Sequence, residues 1–116
     1  MNNQSTDPMS TPSPAPLVHT PHAESQGTSY HGHSVKCTPA DLKRVFGEPS
    51  IDSNGHMDKV NLEWILTLTE NDATITLYDW EQYIMLQDDM VIDWHIGAIE
   101  PGDAATAYLY LTRMLQ

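Results

Sequence analysis

The sequence from residue 34 to 116 predicts one α+β domain: a small antiparallel sheet of about three to four strands, packed against a short N-terminal helix and a C-terminal helix. Three observations predict it. Helix punctuation brackets residues 38–49. Apolar–polar alternation runs through residues 60–69 and resumes after a turn. A helical apolar spacing closes the chain.

Residues 34–36 read as a short opening strand. Thr38 follows as an N-cap, Pro39 occupies the first helical position, and Asp41 stands three residues after Thr38, where a capping box needs an acceptor. Leu42, Val45 and Phe46 form the apolar stripe of this helix. Gly47 ends it and Pro49 blocks its continuation. Residues 50–58 are a loop that turns at Asn54-Gly55. In the next segment Val60, Leu62, Trp64, Leu66 and Leu68 alternate with Asn61, Glu63, Ile65, Thr67 and Thr69, the period of a strand. Glu70-Asn71-Asp72 is a turn, and residues 73–80, rich in β-branched and aromatic side chains, return as the second strand of an antiparallel hairpin. Ile75 and Leu77 join the apolar face, while Tyr78 and Trp80 take the opposite one. Residues 81–90 are a polar excursion containing Asp88-Asp89. Residues 91–97 form a further strand, with Ile92, Trp94 and Ile96 on one face and Val91, Asp93 and His95 on the other. Pro101-Gly102-Asp103 opens the last helix, in which Ala104, Tyr108, Leu111 and Leu115 share a face. Ala107, Tyr110 and Met114 widen that face. So broad an apolar surface predicts two partners, its own sheet and a second subunit, and hence a homodimer through this helix.

Residues 1–33 read as a disordered tail. Pro8, Pro12, Pro14, Pro16 and Pro21 alternate with Ser, Thr and Ala, a composition too poor in apolar groups to offset the entropy of folding. His19, His22, His31 and His33 lie in it. The pair His31-Gly32-His33 has no carboxylate or thiolate at fixed spacing, so no metal site is expected.

Sixteen Asp and Glu face five Lys and Arg, for a formal net charge of −11. Residues 1–35 hold only Asp7 and Glu24, which leaves −9 on the domain. Such a field repels nucleic acid and anionic lipid and attracts basic surfaces, although acidity also serves plain solubility. A single cysteine, Cys37, excludes an intrachain disulfide and a Cys-rich zinc centre, and fits a reducing cytoplasm. No stretch approaches the ~20 apolar residues of a membrane span. The opening Met-Asn-Asn-Gln-Ser-Thr-Asp has neither the basic nor the apolar region of a signal peptide. A folded part of this size buries only about 60–65% of its unfolded surface, which also favours oligomerisation.

No catalytic set emerges. Cys37 precedes a helix N-terminus, with His56 and His95 as the domain's histidines, but an inert buried thiol accounts for it. Asp88, Asp89 and Asp93 fit a solvated acidic loop. The sequence lacks a P-loop, a GxGxxG turn, an HExxH helix and a basic–aromatic RNA-binding pattern. A non-enzymatic protein without cofactor or metal is the expectation. Aromatic and polar residues do converge at adjacent strand ends: Tyr78, Asp79, Trp80, Tyr83, Asp88, Asp89, Asp93, Trp94 and His95 form the candidate contact set. Trp and Tyr supply rigid interface anchors or stack on bases. The plain alternative places Trp64 and Trp94 in the core and Trp80 beneath the terminal helix.

The segments Phe46-Gly47-Glu48-Pro49, Lys59-Val60-Asn61-Leu62-Glu63-Trp64, Tyr78-Asp79-Trp80 and Asp93-Trp94-His95-Ile96-Gly97 resemble a group of small bacteriophage-encoded accessory proteins, to which no established activity attaches. The helix and hairpin from Thr38 to Tyr78 are also similar in layout to repeats of the β-lactamase-inhibitor-protein type, a likeness of fold alone. The phage resemblance implies a small acidic protein that acts on host machinery in the host cytoplasm, with no direct binding of nucleic acid or membrane. One role is an anti-CRISPR or anti-restriction inhibitor that covers a host protein's basic groove, using carboxylates such as Glu70, Asp72, Glu81, Asp88, Asp89, Glu100 and Asp103. A second is a nucleotide-sequestering module in which Trp80, Tyr83 and His95 stack on a base and Lys43, Arg44 and Lys59 meet its phosphate. A third is a virion or assembly component.

Overall fold

The alternation in residues 62–68 puts Leu62, Trp64, Leu66 and Leu68 on one side of a strand, and the sheet grows outward from it. A computed structural model describes residues 15–20, 25, 27–56 and 58–116 and has the expected α+β class. In chain order the elements are β1 (Leu17–His19), β2 (Ser29–Cys37), α1 (Pro39–Phe46), β3 (Ile51–Asp52), β4 (Leu62–Leu68), β5 (Ala73–Tyr78), β6 (Ile92–Ala98) and α2 (Pro101–Met114). The sheet runs β1-β4-β5-β6-β2 with every pairing antiparallel, and β3 lies on β4 beside β1. One edge is therefore shared by β1 and β3, and β2 forms the other.

The apolar face carries both helices. Leu42 and Phe46 of α1 enter the core with Leu62, Trp64, Leu66, Leu77, Ile92, Trp94 and Ile96. The expected capping box is formed, Asp41 N donating to Thr38 Oγ1 and Thr38 N to Asp41 Oδ2, and Gly47 closes the helix at φ 85°. Trp64 and Trp94 meet edge to face, with centroids 5.6 Å apart. Their indole N–H groups donate at 2.9 Å to the carbonyls of Gly47 and Cys37, which flank α1 at its two ends. Burial of two aromatic rings thus also satisfies their polar tips and fixes how α1 sits on the sheet.

Helix α2 buries Ala104, Ala107 and Leu111 against its own sheet, and Tyr108, Tyr110, Met114 and Leu115 pack around that contact. Among its large apolar residues only Leu109 is left exposed. Tyr108, Tyr110, Met114 and Leu115, which widen the apolar face, are half-buried there.

The sheet is larger than expected, because it recruits residues that read as tail. Leu17 is fully buried, β1 pairs with residues 66–68 of β4, and Thr20 N donates to Ile65 O at 3.1 Å. In β2, Ser29 and Tyr30 pair with Ala98 and Gly97, and Ser34 with His95. The four-residue step on β2 from 30 to 34 faces a two-residue step on β6 from 97 to 95, a bulge at which Gly32 adopts φ 91°. The domain boundary thus lies N-terminal to residue 34. The reason is that edge strands need backbone pairing and one or two apolar side chains, not a continuous apolar face. Pro8, Pro12, Pro14, Pro21 and His22 lie outside the described residues.

Thr20 and Ser25 lie on the face opposite the helices, against Thr67 and Glu63. Thr20 hydrogen-bonds Thr67 through the side chains, and the side chain of Ile99 packs beside Gly27. On this outer face Thr76 and Gly97 are cross-strand partners, with Tyr78 Cε1 closing over the glycine. A methyl at Gly97 would overlap Thr76 Oγ1, and threonine is stiff at χ1. Gly97→Ala is expected to destabilise the fold by about 1–3 kcal/mol. Urea unfolding checks it, and a Thr76→Ala background should recover a large part of the loss.

Candidate functional site

The residues of the candidate set fall into three environments. Two are internal. Trp94 is a core side chain. Asp79 is fully buried, and its carboxylate accepts three hydrogen bonds: Oδ1 from Asn61 N at 2.8 Å and Leu62 N at 2.9 Å, Oδ2 from Asn61 Nδ2 at 2.9 Å. Neither Trp94 nor Asp79 is therefore a surface contact residue, contrary to the expectation from sequence. Asp79 instead ties the end of β5 to the start of β4.

A second group lies on the outer face of the sheet. Tyr78 pairs with His95 across β5 and β6, with ring centroids 5.5 Å apart. Tyr30 stacks on His95 at 4.1 Å. Trp80 packs edge-on to Tyr78, and Lys59 Nζ lies 5.7 Å from the Trp80 ring centroid. Trp80 is therefore not beneath the terminal helix. In the row Tyr30–His95–Tyr78–Trp80 the first contact is stacked and the other two are edge to face, so Tyr30 already occupies a face of His95 that a base would need. Beside it Glu63 pairs with Tyr78 across β4 and β5. Burial pushes the Glu63 carboxyl above its usual range, opposed more weakly by a hydrogen bond from Ser25. Glu63 Oε2 and the hydroxyl of Thr76 are buried without a hydrogen-bond partner among the described residues. Burial and the adjacent Glu63 charge also raise the Tyr78 phenol.

The third environment is the irregular segment from 79 to 91. Trp80, Tyr83, Ile84, Met85 and Val91 stand out of it, at 40%, 39%, 50%, 56% and 69% exposure. Glu81, Asp88 and Asp89 within the segment are exposed, as is Asp93 on β6, the cross-strand partner of Lys36. The segment is held at both ends and in the middle. Glu81 N donates to Lys59 O at 2.8 Å. Asn54 clamps Leu86, accepting from its N–H at 2.7 Å and donating to its carbonyl at 2.8 Å, while the Leu86 side chain is buried. Asp88 accepts from Ala40 N at 3.1 Å through its carbonyl and from Lys43 Nζ at 3.0 Å through its carboxylate. Between these anchors Glu81 and Tyr83 sit at φ 54° and 55°, a left-handed conformation that costs a non-glycine residue about 1–2 kcal/mol.

Cys37 and His95 are not brought together. Cys37 faces the core while His95 projects from the opposite side of the sheet. Burial, with Asp41 nearby, pushes the Cys37 thiol up to about 12, so no thiolate is available near neutrality. His31 Nε2 is within 2.9 Å of Ala98 O and His33 packs against Tyr108, so the two are engaged separately. Among the described residues no cluster of His, Cys, Asp and Glu could hold a metal ion, and no helix is long and apolar enough to cross a membrane. An open cavity of about 400 Å³ is lined by Ser34, Val35 and Lys36 of β2, Asp93 of β6, Tyr108 and Thr112 of α2, and Leu115 just beyond that helix.

No protein-family model, curated protein or solved structure matches this chain. Functional inference therefore rests on the site. Sequence reasoning placed Trp80, Tyr83, Asp88, Asp89 and Asp93 on the surface, and Val91 on the face opposite the core, but passed over Ile84 and Met85. Its one available signal was two large apolar residues inside a stretch with neither strand nor helix period. Asn54 gave no signal beyond a turn.

Two outcomes test this geometry. Asp79→Ala leaves Asn61 and Leu62 donors buried without an acceptor, and is expected to cost about 2–4 kcal/mol. Asp79→Asn keeps one oxygen for the two backbone N–H groups and should cost less. Thermal melts compare them. For Glu63, a carboxyl raised above its ordinary value of 4.5 means that the folded state binds the proton more tightly. Its contribution is most favourable below that value and is lost as pH rises through the folded-state pKa. Glu63→Gln should remove this fall, so the variant gains on the parent between pH 4.5 and neutrality in urea titrations. A difference that stays constant with pH would refute the assignment.

Proposed function

We propose that this protein is a non-catalytic inhibitor that binds a basic surface of a partner protein, of the kind that host defence nucleases use to hold nucleic acid. The observation that carries the reading is the charge distribution. Lys43 and Arg44 are turned onto Asp88 and Asp41, and these are the ion pairs among the described residues. Asp52, Asp58, Glu70, Asp72, Glu81, Asp89, Asp93 and Glu100 remain exposed with no such counter-charge. Surface cations thus neutralise little of the negative field. A field of this kind accelerates encounter with positive surfaces and rejects phosphates. The resemblance of the Phe46–Pro49, Lys59–Trp64, Tyr78–Trp80 and Asp93–Gly97 segments to small phage proteins supplies the setting, a viral protein acting on its host.

The test is competition. Purified restriction and CRISPR effectors should lose duplex DNA on addition of the protein. Affinity for a responsive effector should fall by about tenfold or more between low and physiological salt, as Debye screening shortens the reach of exposed charges. Replacing Asp88, Asp89 and Asp93 together by Asn should reproduce the high-salt affinity at low salt. Affinity that is flat with salt would sink the reading.

A further inference from the structure

We infer that residues 80–85 form a preorganised apolar plug, seated in an apolar-floored cleft with a Lys- and Arg-bearing rim on the partner protein. This rests on the reading of the protein as a binder of basic protein surfaces. It adds what charge alone lacks, a place and a chemistry for the tightest contact.

Three observations converge on the segment. It exposes Trp80, Tyr83, Ile84 and Met85 within one irregular stretch, and a free loop would turn such groups away from water. It holds Glu81 and Tyr83 in left-handed backbone, a strain that persists only where surroundings impose it. Those surroundings are present: the Glu81–Lys59 backbone bond, the two-point Asn54 clamp on Leu86, and the Asp88 contacts to α1. Met85 is further seated over the Asn54-Gly55 turn, where a Cβ on Gly55 would come within 2.7 Å of Met85 Cε. Exposure here is fixed by structure and not by mobility. A fixed loop loses little entropy on binding, and Trp, Tyr and Met are residue types favoured at interface centres.

Charge selects the occupant. Glu81, Asp88 and Asp89 flank the patch. A second copy would bring the same carboxylates face to face, and lipid or nucleic acid would bring phosphates. A basic rim around an apolar floor meets both features at once.

The experiment measures binding of the full chain to three synthetic peptides of equal length, a Lys/Leu amphipath, its Lys/Ser analogue and a Glu/Leu analogue. Lys/Leu should bind at least about tenfold tighter than Lys/Ser, and Glu/Leu should not bind. Ile84→Ser with Met85→Ser should erase the Lys/Leu advantage and leave Lys/Ser binding unchanged. Both side chains are exposed, so circular dichroism should be unaltered. Asn54→Ala, which releases the Leu86 clamp and retains all four apolar side chains of the patch, should reduce the Lys/Leu advantage alone. Equal binding of the two cationic peptides, or an advantage that survives Ile84→Ser with Met85→Ser, overturns the plug while the basic-partner reading stands. Failure of both cationic peptides to bind at low salt overturns that reading as well. A dimer in sedimentation that the same double substitution dissolves would make the patch a self-interface and overturn the inference.

Discussion

The carboxylate of Asp79 is the fixed point of the structure. A buried charge costs several kcal/mol unless its lone pairs are met, and here they are met by two backbone N–H groups and one amide on a single short segment, Asn61-Leu62. That arrangement admits one register. With Asp79 set against Asn61 and Leu62, Tyr78 falls opposite Glu63 and Leu77 opposite Trp64, so apolar and polar faces of the hairpin are assigned together. A slip by one residue would send Trp64 to the outer face and lose the acceptor for three donors. The same latch sets where the chain leaves the sheet. Trp80 and Glu81 emerge directly after it, and the Glu81 bond to Lys59 continues the pairing beyond the last strand residue.

The remainder of the domain is small enough to need such polar anchors. Its two core tryptophans act as hydrogen-bonding struts as well as apolar volume, one at each end of α1. Helix α1 in turn holds the far end of the 79–91 segment through Ala40 and Lys43. Core packing and surface loop are therefore mechanically one system: the sheet fixes α1, α1 fixes Asp88, and Asp79 fixes the opposite end. This is how a segment without regular hydrogen bonding is kept in a strained backbone conformation while its apolar side chains stay in water.

What the sequence made legible follows from how local each signal was. The capping box around Thr38 and Asp41, the stop at Gly47, and the alternation through Leu62–Leu68 are determined by neighbours a few residues away, and each is found as read. Strands β1 and the first part of β2 depend on partners about 50 to 70 residues distant, and beyond Leu17, Val18 and Tyr30 they carry no large apolar side chain, so no local period announced them. For the site, alternation in residues 91–97 already sent Trp94 inward, and grouping it with surface residues gave motif proximity more weight than strand period. Asp79 could be located but not assigned, since a carboxylate between an aromatic pair reads equally as surface charge or as a saturated buried acceptor. Ile84 and Met85 escaped because an irregular segment has no period against which an exposed apolar residue stands out.

On the proposed reading, acidity and apolar exposure have separable roles. Long-range attraction raises the encounter rate with any positive surface and is correspondingly unselective. Selectivity among basic proteins must come from short-range complementarity, which acts mainly on dissociation. A protein of this size has few places to put it. The helix-covered face is consumed by the core, and on the outer face Thr20 and Ser25 are engaged by Thr67 and Glu63 while Tyr30 is stacked on His95. The 79–91 segment, by contrast, combines large exposed apolar side chains, a rigid backbone and flanking carboxylates. The strain at Glu81 and Tyr83 is then intelligible as the cost of holding those side chains outward, a conformation the chain would abandon were it not tied at Asp79, Leu86 and Asp88.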